Sequence, residues 1–417
     1  MSPVRRAPHQ LTHTQSTLRR DYLDQVVDLL WPAPATVAVG RPGPGSAPVV
    51  SEFVVVPSLA RPHLLVPLHA RRAAATALRR YSEPRTRLAK YRLEVLARAM
   101  RTGLGELVMR DRVRVEAADG SPAGIEAHLT EVLGRRVQLS LHIGPARANR
   151  KPVLQLLSED GDVIGFVKIG VNDLTRRLVV AEAGSLAHLA GSSFGITAVP
   201  RLLHSGVWRG LQVLVQSPLP IWEKRAPLPP ERLAQSMLEV AAVDGVTTER
   251  LVDTPYWDRL RTALDELTPT DPVEQLRTAF AALDQRAQDA EVPMGAWHGD
   301  WTPWNMASLP HRVLVWDWER FERGVPLGFD ALHYDLQRAV VRKGADPRLA
   351  VARCLAQSAD LLAPFGVEPR YADVVALTYL VDLAVRYLTD GQAEAGARLG
   401  VLGQWLLPEL VERVTTP

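Results

Sequence analysis

Two stretches hold side chains whose types and spacing could do chemistry together: Ala296-Trp297-His298-Gly299-Asp300-Trp301-Thr302-Pro303-Trp304-Asn305-Met306, and shortly after it Val313-Leu314-Val315-Trp316-Asp317-Trp318-Glu319. A carboxylate at Asp300, a carboxamide at Asn305 and a second carboxylate at Asp317 are suited to phosphoryl transfer. One such group can orient a hydroxyl and take its proton, while hard oxygen ligands hold a magnesium ion against phosphates. The apolar run Val313–Trp316 reads as a buried strand, and neighbours on both sides would fix the direction of Asp317. His298 has no serine, cysteine or metal partner in view and reads as structural rather than as a base. Gly299 supplies a backbone freedom that other residues lack.

The rest of the chain must position these groups. Its 417 residues suffice for two or three domains or lobes, and the balance of apolar and charged residues is that of a globular protein. A net charge of +3 does not mark the whole chain as a polyanion binder, and the single cysteine, Cys354, excludes an internal disulfide and a cysteine-based zinc cluster. Absence of an apolar leader and of a long apolar run predicts a cytoplasmic protein with no membrane span.

Residues 1–20 are basic and without periodicity and read as a tail. A short helix follows from Tyr22 to Leu30, stopped at Pro32, then the linker Gly40–Ser46 and a strand over Phe53–Val56. From Arg71 to Arg114, thirteen Lys or Arg face four acids. Within that stretch Leu88, Tyr91, Val95, Ala99 and Met100 mark one face of a helix. Such a balance leaves open a protein partner for the basic N-terminal region. Nucleic acid is disfavoured, because stacking aromatics are not interleaved. A helix starting after Ser121-Pro122 ends at Gly134. Strands are expected over 137–143, 153–157, 163–169, 198–203 and 211–215, with a helix from Asn172 or Asp173 to Gly191 between the third and fourth. Past Pro218 the pattern is helical apart from the opening stretches.

The ordered set His298-Gly299-Asp300, Asn305, Asp317, Gly324 and Asp330 resembles the aminoglycoside phosphotransferase and choline kinase-like branch of the protein-kinase-like fold, over roughly residues 135–400. That resemblance implies an α+β, bilobal fold. A small antiparallel N-lobe would span 131–217 and a mostly helical C-lobe 218–417, with a mixed α/β extension over 1–130. It implies Asp300 as base and Asn305 and Asp317 as magnesium ligands, with His298, Gly299 and Asp330 supporting the loop, although a helix N-cap also explains Asp330. It further implies that Lys168, on an apolar strand, pairs with Glu182 and reaches the phosphates of ATP or GTP. The phosphate-covering hairpin would lie at 143–151, where a single glycine leaves Arg147, Arg150 or Lys151 to supply charge. Backbone groups near Gln216 and Ser217 would bind the base. The implied activity is phosphotransfer to a hydroxyl of an aminoglycoside-, choline- or sugar-like acceptor, and the glycine-poor hairpin leaves open a catalytically idle, nucleotide-binding module. Acceptor contacts could come from Trp301, Trp304 or Trp318, and from acids such as Glu319, Glu322, Asp335, Asp382 and Asp390, which solvated helix faces also carry routinely. For Trp297 and Trp316, core packing is the expectation.

Overall fold

A computed structural model describes residues 8–41, 47–81, 87–105, 109–118, 120, 124–144, 150–390 and 402–415. The chain divides into two compact units, one of Met1–Val180 with Leu202–Pro218, the other of Ala181–Arg201 with Leu219–Pro417.

The first unit is built on a sheet of nine strands. In chain order these are β1 (Thr36–Gly40), β2 (Val49–Ser58), β3 (Arg61–Pro67), β4 (Arg112–Glu116), β5 (Gln138–His142), β6 (Val153–Leu157) and β7 (Val163–Gly170), then β9 (Leu202–Trp208) and β10 (Leu211–Gln216), with the short β8 (Thr197–Ala198) belonging to the second unit. Their spatial order is β1-β4-β2-β3-β5-β6-β7-β10-β9, and every pairing is antiparallel. The sheet is thus larger than the small lobe expected. Strands before residue 130 join it directly, through Leu64 opposite His142 and Leu65 opposite Leu141.

Alternation in the strands gives the sheet two apolar faces. Leu65, Leu139, Leu141, Leu154, Leu156, Val167, Ile169 and Val213 pack with Tyr22, Leu23, Val26, Val27 and Leu30 of the helix Pro8–Leu30. The spacing of those helix residues is that of a single core-facing stripe. On the other face Val54, Leu64, Val66 and Leu157 meet Ala73, Ala74, Ala77 and Leu78 of the helix Arg71–Tyr81, whose small side chains allow close approach.

Two local expectations change. Residues 8–20 are helical rather than a tail, because a helix nucleated by the packed Tyr22–Leu30 stripe extends backwards at low cost. The helix Arg87–Thr102 forms where expected, but Leu88, Tyr91 and Val95 are exposed, and the face towards the core is Leu93, Leu96, Ala97 and Met100.

The helix Asp173–Leu189 begins at Asn172, whose side chain accepts from the Thr175 N–H while the Thr175 hydroxyl accepts from the Val171 and Asn172 N–H groups. The second unit is mostly helical around Trp257, Phe329 and Tyr379. It also carries more strand than expected: β11 (Thr247–Arg250), β12 (Glu291–Trp297), β13 (Met306–Ser308), β14 (Val313–Val315) and β15 (Glu322–Pro326). These form two three-stranded sheets, β11-β12-β15 and β13-β14-β8. Among the described residues no helix is long and apolar enough to cross a membrane.

Candidate active site

The site lies in the second unit, at the end of β12. His298 and Gly299 follow that strand, and their N–H groups donate to the two carboxylate oxygens of Asp330 at 2.7 and 3.1 Å. Asp330 sits in the first turn of the helix Phe329–Gln337, which starts after Gly328 in a left-handed conformation. Burial pushes the Asp330 carboxyl up to about 7, while the two backbone N–H bonds favour its ionised form. Gly299 has φ +79°, and a Cβ there would lie 2.1 Å from the Arg320 carbonyl oxygen. Only glycine fits.

His298 is fully buried and its two nitrogens have separate tasks. Nδ1 accepts from the Asp300 N–H at 3.1 Å, so the proton is on Nε2, which donates to the Trp316 carbonyl at 3.0 Å. Burial lowers its pKa to about 4, keeping the ring neutral as this arrangement requires. The imidazole therefore ties Asp300 to the residue before Asp317 and is no base.

Asp300 keeps 38% of its side chain exposed. Asn305 Nδ2 donates to the Asp300 main-chain oxygen at 3.0 Å and to Oδ2 at 2.8 Å. Both partners are acceptors, which fixes the amide orientation and turns the Asn305 oxygen the other way. On the other side His333 Nε2 donates to Asp300 Oδ1 at 3.1 Å, and its Nδ1 accepts from the Tyr379 hydroxyl at 2.9 Å. Burial alone would raise the Asp300 pKa, but the His333 hydrogen bond and the charge of Arg386 outweigh it and hold the carboxyl below its ordinary value. Each carboxylate oxygen accepts one bond and retains a second lone pair for an incoming hydroxyl.

Asn305 and Asp317 stand at the open end of one hairpin. β13 and β14 pair with Met306 opposite Val315, and the Trp316 N–H donates to the Asn305 carbonyl at 3.0 Å. Asp317 has φ +68°, a left-handed backbone that a non-glycine residue adopts under strain. Such strain often accompanies functional sites. The described residues contain no cluster of three or more His, Cys, Asp or Glu able to cage a metal. Magnesium does not need one: it binds through one or two protein oxygens with phosphate and water completing its shell, and the Asn305 amide oxygen with the Asp317 carboxylate is a donor set of that kind.

Beside this loop is a cavity of about 370 Å³ whose walls include Tyr256, Trp297, Glu319, Glu322, Asp382 and Asp390 with Arg259, Arg320 and Arg386. Arg386 donates to the Gly299 carbonyl and lies 5.5 Å from the Trp297 ring, which connects the cavity to the Asp300 loop. Arg320 pairs with Asp390, and Arg259 pairs with Glu322 at 2.5 Å. Asp382 accepts from the Tyr256 hydroxyl at 3.1 Å, and burial pushes its carboxyl up to about 6.

Four of the five acids singled out in the sequence thus share one cavity. The fifth, Asp335, is buried elsewhere between Arg338 and Arg353. Trp301 and Trp318 are fully buried, packing against His298 at 5.8 and 4.6 Å, so neither can stack on a ligand. Trp304 is exposed, and Trp297, expected in the core, is buried but forms part of the cavity wall. Lys168 is buried on β7 in the first unit and Glu182 is buried on the portion of its helix that belongs to the second. Gln216 ends β10, with its side-chain oxygen buried and without a partner among the described residues, and Ser217 follows it half-buried. Arg147 lies outside the described residues.

His333, Tyr379 and Arg386 escaped the sequence reading. Two spacings could have found them. His333 is three residues beyond Asp330 on one helix, and Tyr379 and Arg386 are seven apart on the helix Ala372–Thr389, so each pair shares a face.

No protein-family model matches the sequence, and no curated protein matches it. Among solved structures the chain is similar to the aminoglycoside phosphotransferase APH(4)-Ia in ternary complex with ADP and hygromycin B, with 15% identity, 70% of this chain and 99% of that one covered, and a TM-score of 0.45. It is also similar to a putative fructosamine-3-kinase from Thermobifida fusca, with 22% identity, 70% and 96% covered, and a TM-score of 0.41. A putative fructosamine-3-kinase from Haemophilus somnus superimposes with 14% identity, 70% and 96% coverage, and a TM-score of 0.40. At such scores the likeness is partial, and the chemistry rests on the side chains themselves.

Proposed function

We propose that this chain is a phosphotransferase that moves the γ-phosphate of ATP or GTP to a hydroxyl of a small molecule. The observation that carries the proposal is the Asp300 carboxylate, accessible, held ionised, and oriented from both sides by Asn305 and His333. In a loose phosphoryl-transfer transition state little covalent work falls to the protein, so a pre-aimed carboxylate that receives the hydroxyl proton is the main demand. Asn305 and Asp317 would hold magnesium, which when bound neutralises charge on the phosphates. The same reading assigns Lys168 and Glu182 to the nucleotide, as the sequence motif implies, with Gln216 and Ser217 near its base.

For the acceptor we propose a hydroxylated, amine-bearing molecule of the amino-sugar kind. Its support is the cavity beside the loop, where aromatic walls join four acids, Glu319, Glu322, Asp382 and Asp390, against three arginines, two of which are paired with Glu322 and Asp390. Single-turnover loss of γ-phosphate over a panel of amino-sugar and sugar acceptors tests the proposal, with Asp300→Ala alongside. Full turnover in that variant would remove Asp300 from its role. Stabilisation by magnesium nucleotide with no turnover on any acceptor would instead identify an idle, nucleotide-binding module.

A further inference from the structure

We infer that the first unit carries an anion-binding site of the phosphate type, built by Arg19, Tyr22 and Arg150 with His63 at its margin. Arg19 and Tyr22 are three residues apart on the helix Pro8–Leu30 and share a face of it. The Arg150 guanidinium, just ahead of β6, lies 3.3 Å from the centre of the Tyr22 ring. Arg19 Nε, Arg150 Nη1 and the Tyr22 hydroxyl are all buried and all lack a hydrogen-bond partner among the described residues, and Tyr22 as a whole is only 6% exposed. A buried polar group without a partner is uncommon, and three of them, two on one helix face and the third on the arginine stacked against Tyr22, call for a common explanation.

The chemistry of the missing partner follows from the groups left over. Both guanidinium atoms can only donate, and burial pushes the Tyr22 phenol up to about 12, so it too keeps its proton to donate. What is lacking is an acceptor. Charge points the same way: the strongest charges on His63 are those of Arg19 and Arg61, and Arg19 also bears on Arg150. Partly buried cations gathered without a counter-ion among the described residues are costly, and a phosphate, with its several acceptor oxygens and match to the guanidinium fork, relieves that cost.

This site is separate from the one proposed for the nucleotide. Tyr22 packs in the same apolar layer as Val167 and Ile169, and Lys168 between them points to the opposite face of the sheet.

Melting of the full-length protein with inorganic phosphate, titrated against chloride at constant ionic strength, tests the inference. A parallel titration uses glycerol 3-phosphate. Wild type should show a saturable rise in Tm, with apparent affinity falling about tenfold in Arg150→Gln and in Arg19→Gln, the size of one charge-assisted hydrogen bond. Arg150→Lys, which keeps the charge and loses the fork, should fall between wild type and Arg150→Gln, and Lys168→Ala should respond as wild type. Tighter binding of the ester than of free phosphate would support a phosphorylated metabolite as the ligand, and the reverse would support free phosphate. The inference is overturned by the absence of a saturable rise, by an equal rise with acetate, or by a rise that Lys168→Ala abolishes and the arginine variants retain.

Discussion

The loop around Asp300 and the cluster around Tyr22 both gather polar groups away from water, yet they differ in one respect. In the loop, both oxygens of Asp330, both nitrogens of His298, both nitrogens of His333 and the amide nitrogen of Asn305 have partners within the chain. In the cluster, three donors have none among the described residues. Near the loop Trp297 Nε1 and Thr302 Oγ1 are buried without partners among the described residues, but the groups that surround Asp300 pair with one another and so hold one geometry before any ligand arrives, which is what chemistry at Asp300 would require. A set of donors without acceptors is complete only with something bound. Removing a member should therefore damage the first and, in the absence of phosphate, leave the second almost untouched.

The largest effect expected is on turnover. Asp300→Ala should lower γ-phosphate transfer about a thousandfold, as measured by ADP release with a productive acceptor, and should also lower the melting temperature, because Asn305 Nδ2 and His333 Nε2 lose the carboxylate they donate to. Next is the backbone beneath it. Gly299→Ala brings a Cβ to the Arg320 carbonyl in a left-handed conformation and should cost about 3 kcal/mol in urea unfolding. A loss under about 1 kcal/mol would show that the loop yields more readily than its hydrogen bonds suggest.

His333→Gln should lower kcat about thirtyfold and also move the pH profile. His333 holds the Asp300 pKa down, so without it the carboxyl protonates more easily and the acid limb of kcat/KM shifts to higher pH. An unchanged limb with reduced kcat would reduce His333 to a packing role. His298 gives a smaller signal, on stability. Its folded pKa is lowered to about 4, so between that value and its ordinary pKa the unfolded chain binds a proton that the folded chain does not. Stability from this group is present above the unfolded pKa and is lost as pH falls toward 4, so wild type should show a steeper slope in that window than His298→Asn, by up to about one proton.

The smallest effect belongs to the other region. Without phosphate, Arg150→Gln should change stability by less than about 1 kcal/mol, because it removes a partly buried cation that stacks on Tyr22 and has no ion-pair partner among the described residues. A loss of several kcal/mol would mean that Arg150 is already satisfied, and the contrast would collapse.

Local signals in the sequence located much of this molecule. Proline at 32 and glycine at 134 end helices where expected, and the β-branched runs mark most of the strands. Asp300, Asn305 and Asp317 are near neighbours in sequence, and one hairpin suffices to bring the last two together. What escaped depends on contacts between distant residues. Arg386 reaches the Gly299 carbonyl across 87 positions and His333 reaches Asp300 across 33, and no periodicity encodes which helix faces which loop. The helix Arg87–Thr102 shows a different failure. Two sets of apolar residues follow helical spacing there, and only the packed sheet decides that Leu93, Leu96, Ala97 and Met100 go inward.

The left-handed backbone at Asp317 has a consequence for how this chain could be altered. Glycine at that position would release the steric strain, and asparagine would tolerate it better than most residues, so a search for thermostable variants should recover both readily. Each would remove a carboxylate from beside Asn305. Survivors of such a screen would be sturdier proteins with diminished phosphotransfer, and their appearance at this one position would itself report where durability and turnover are opposed.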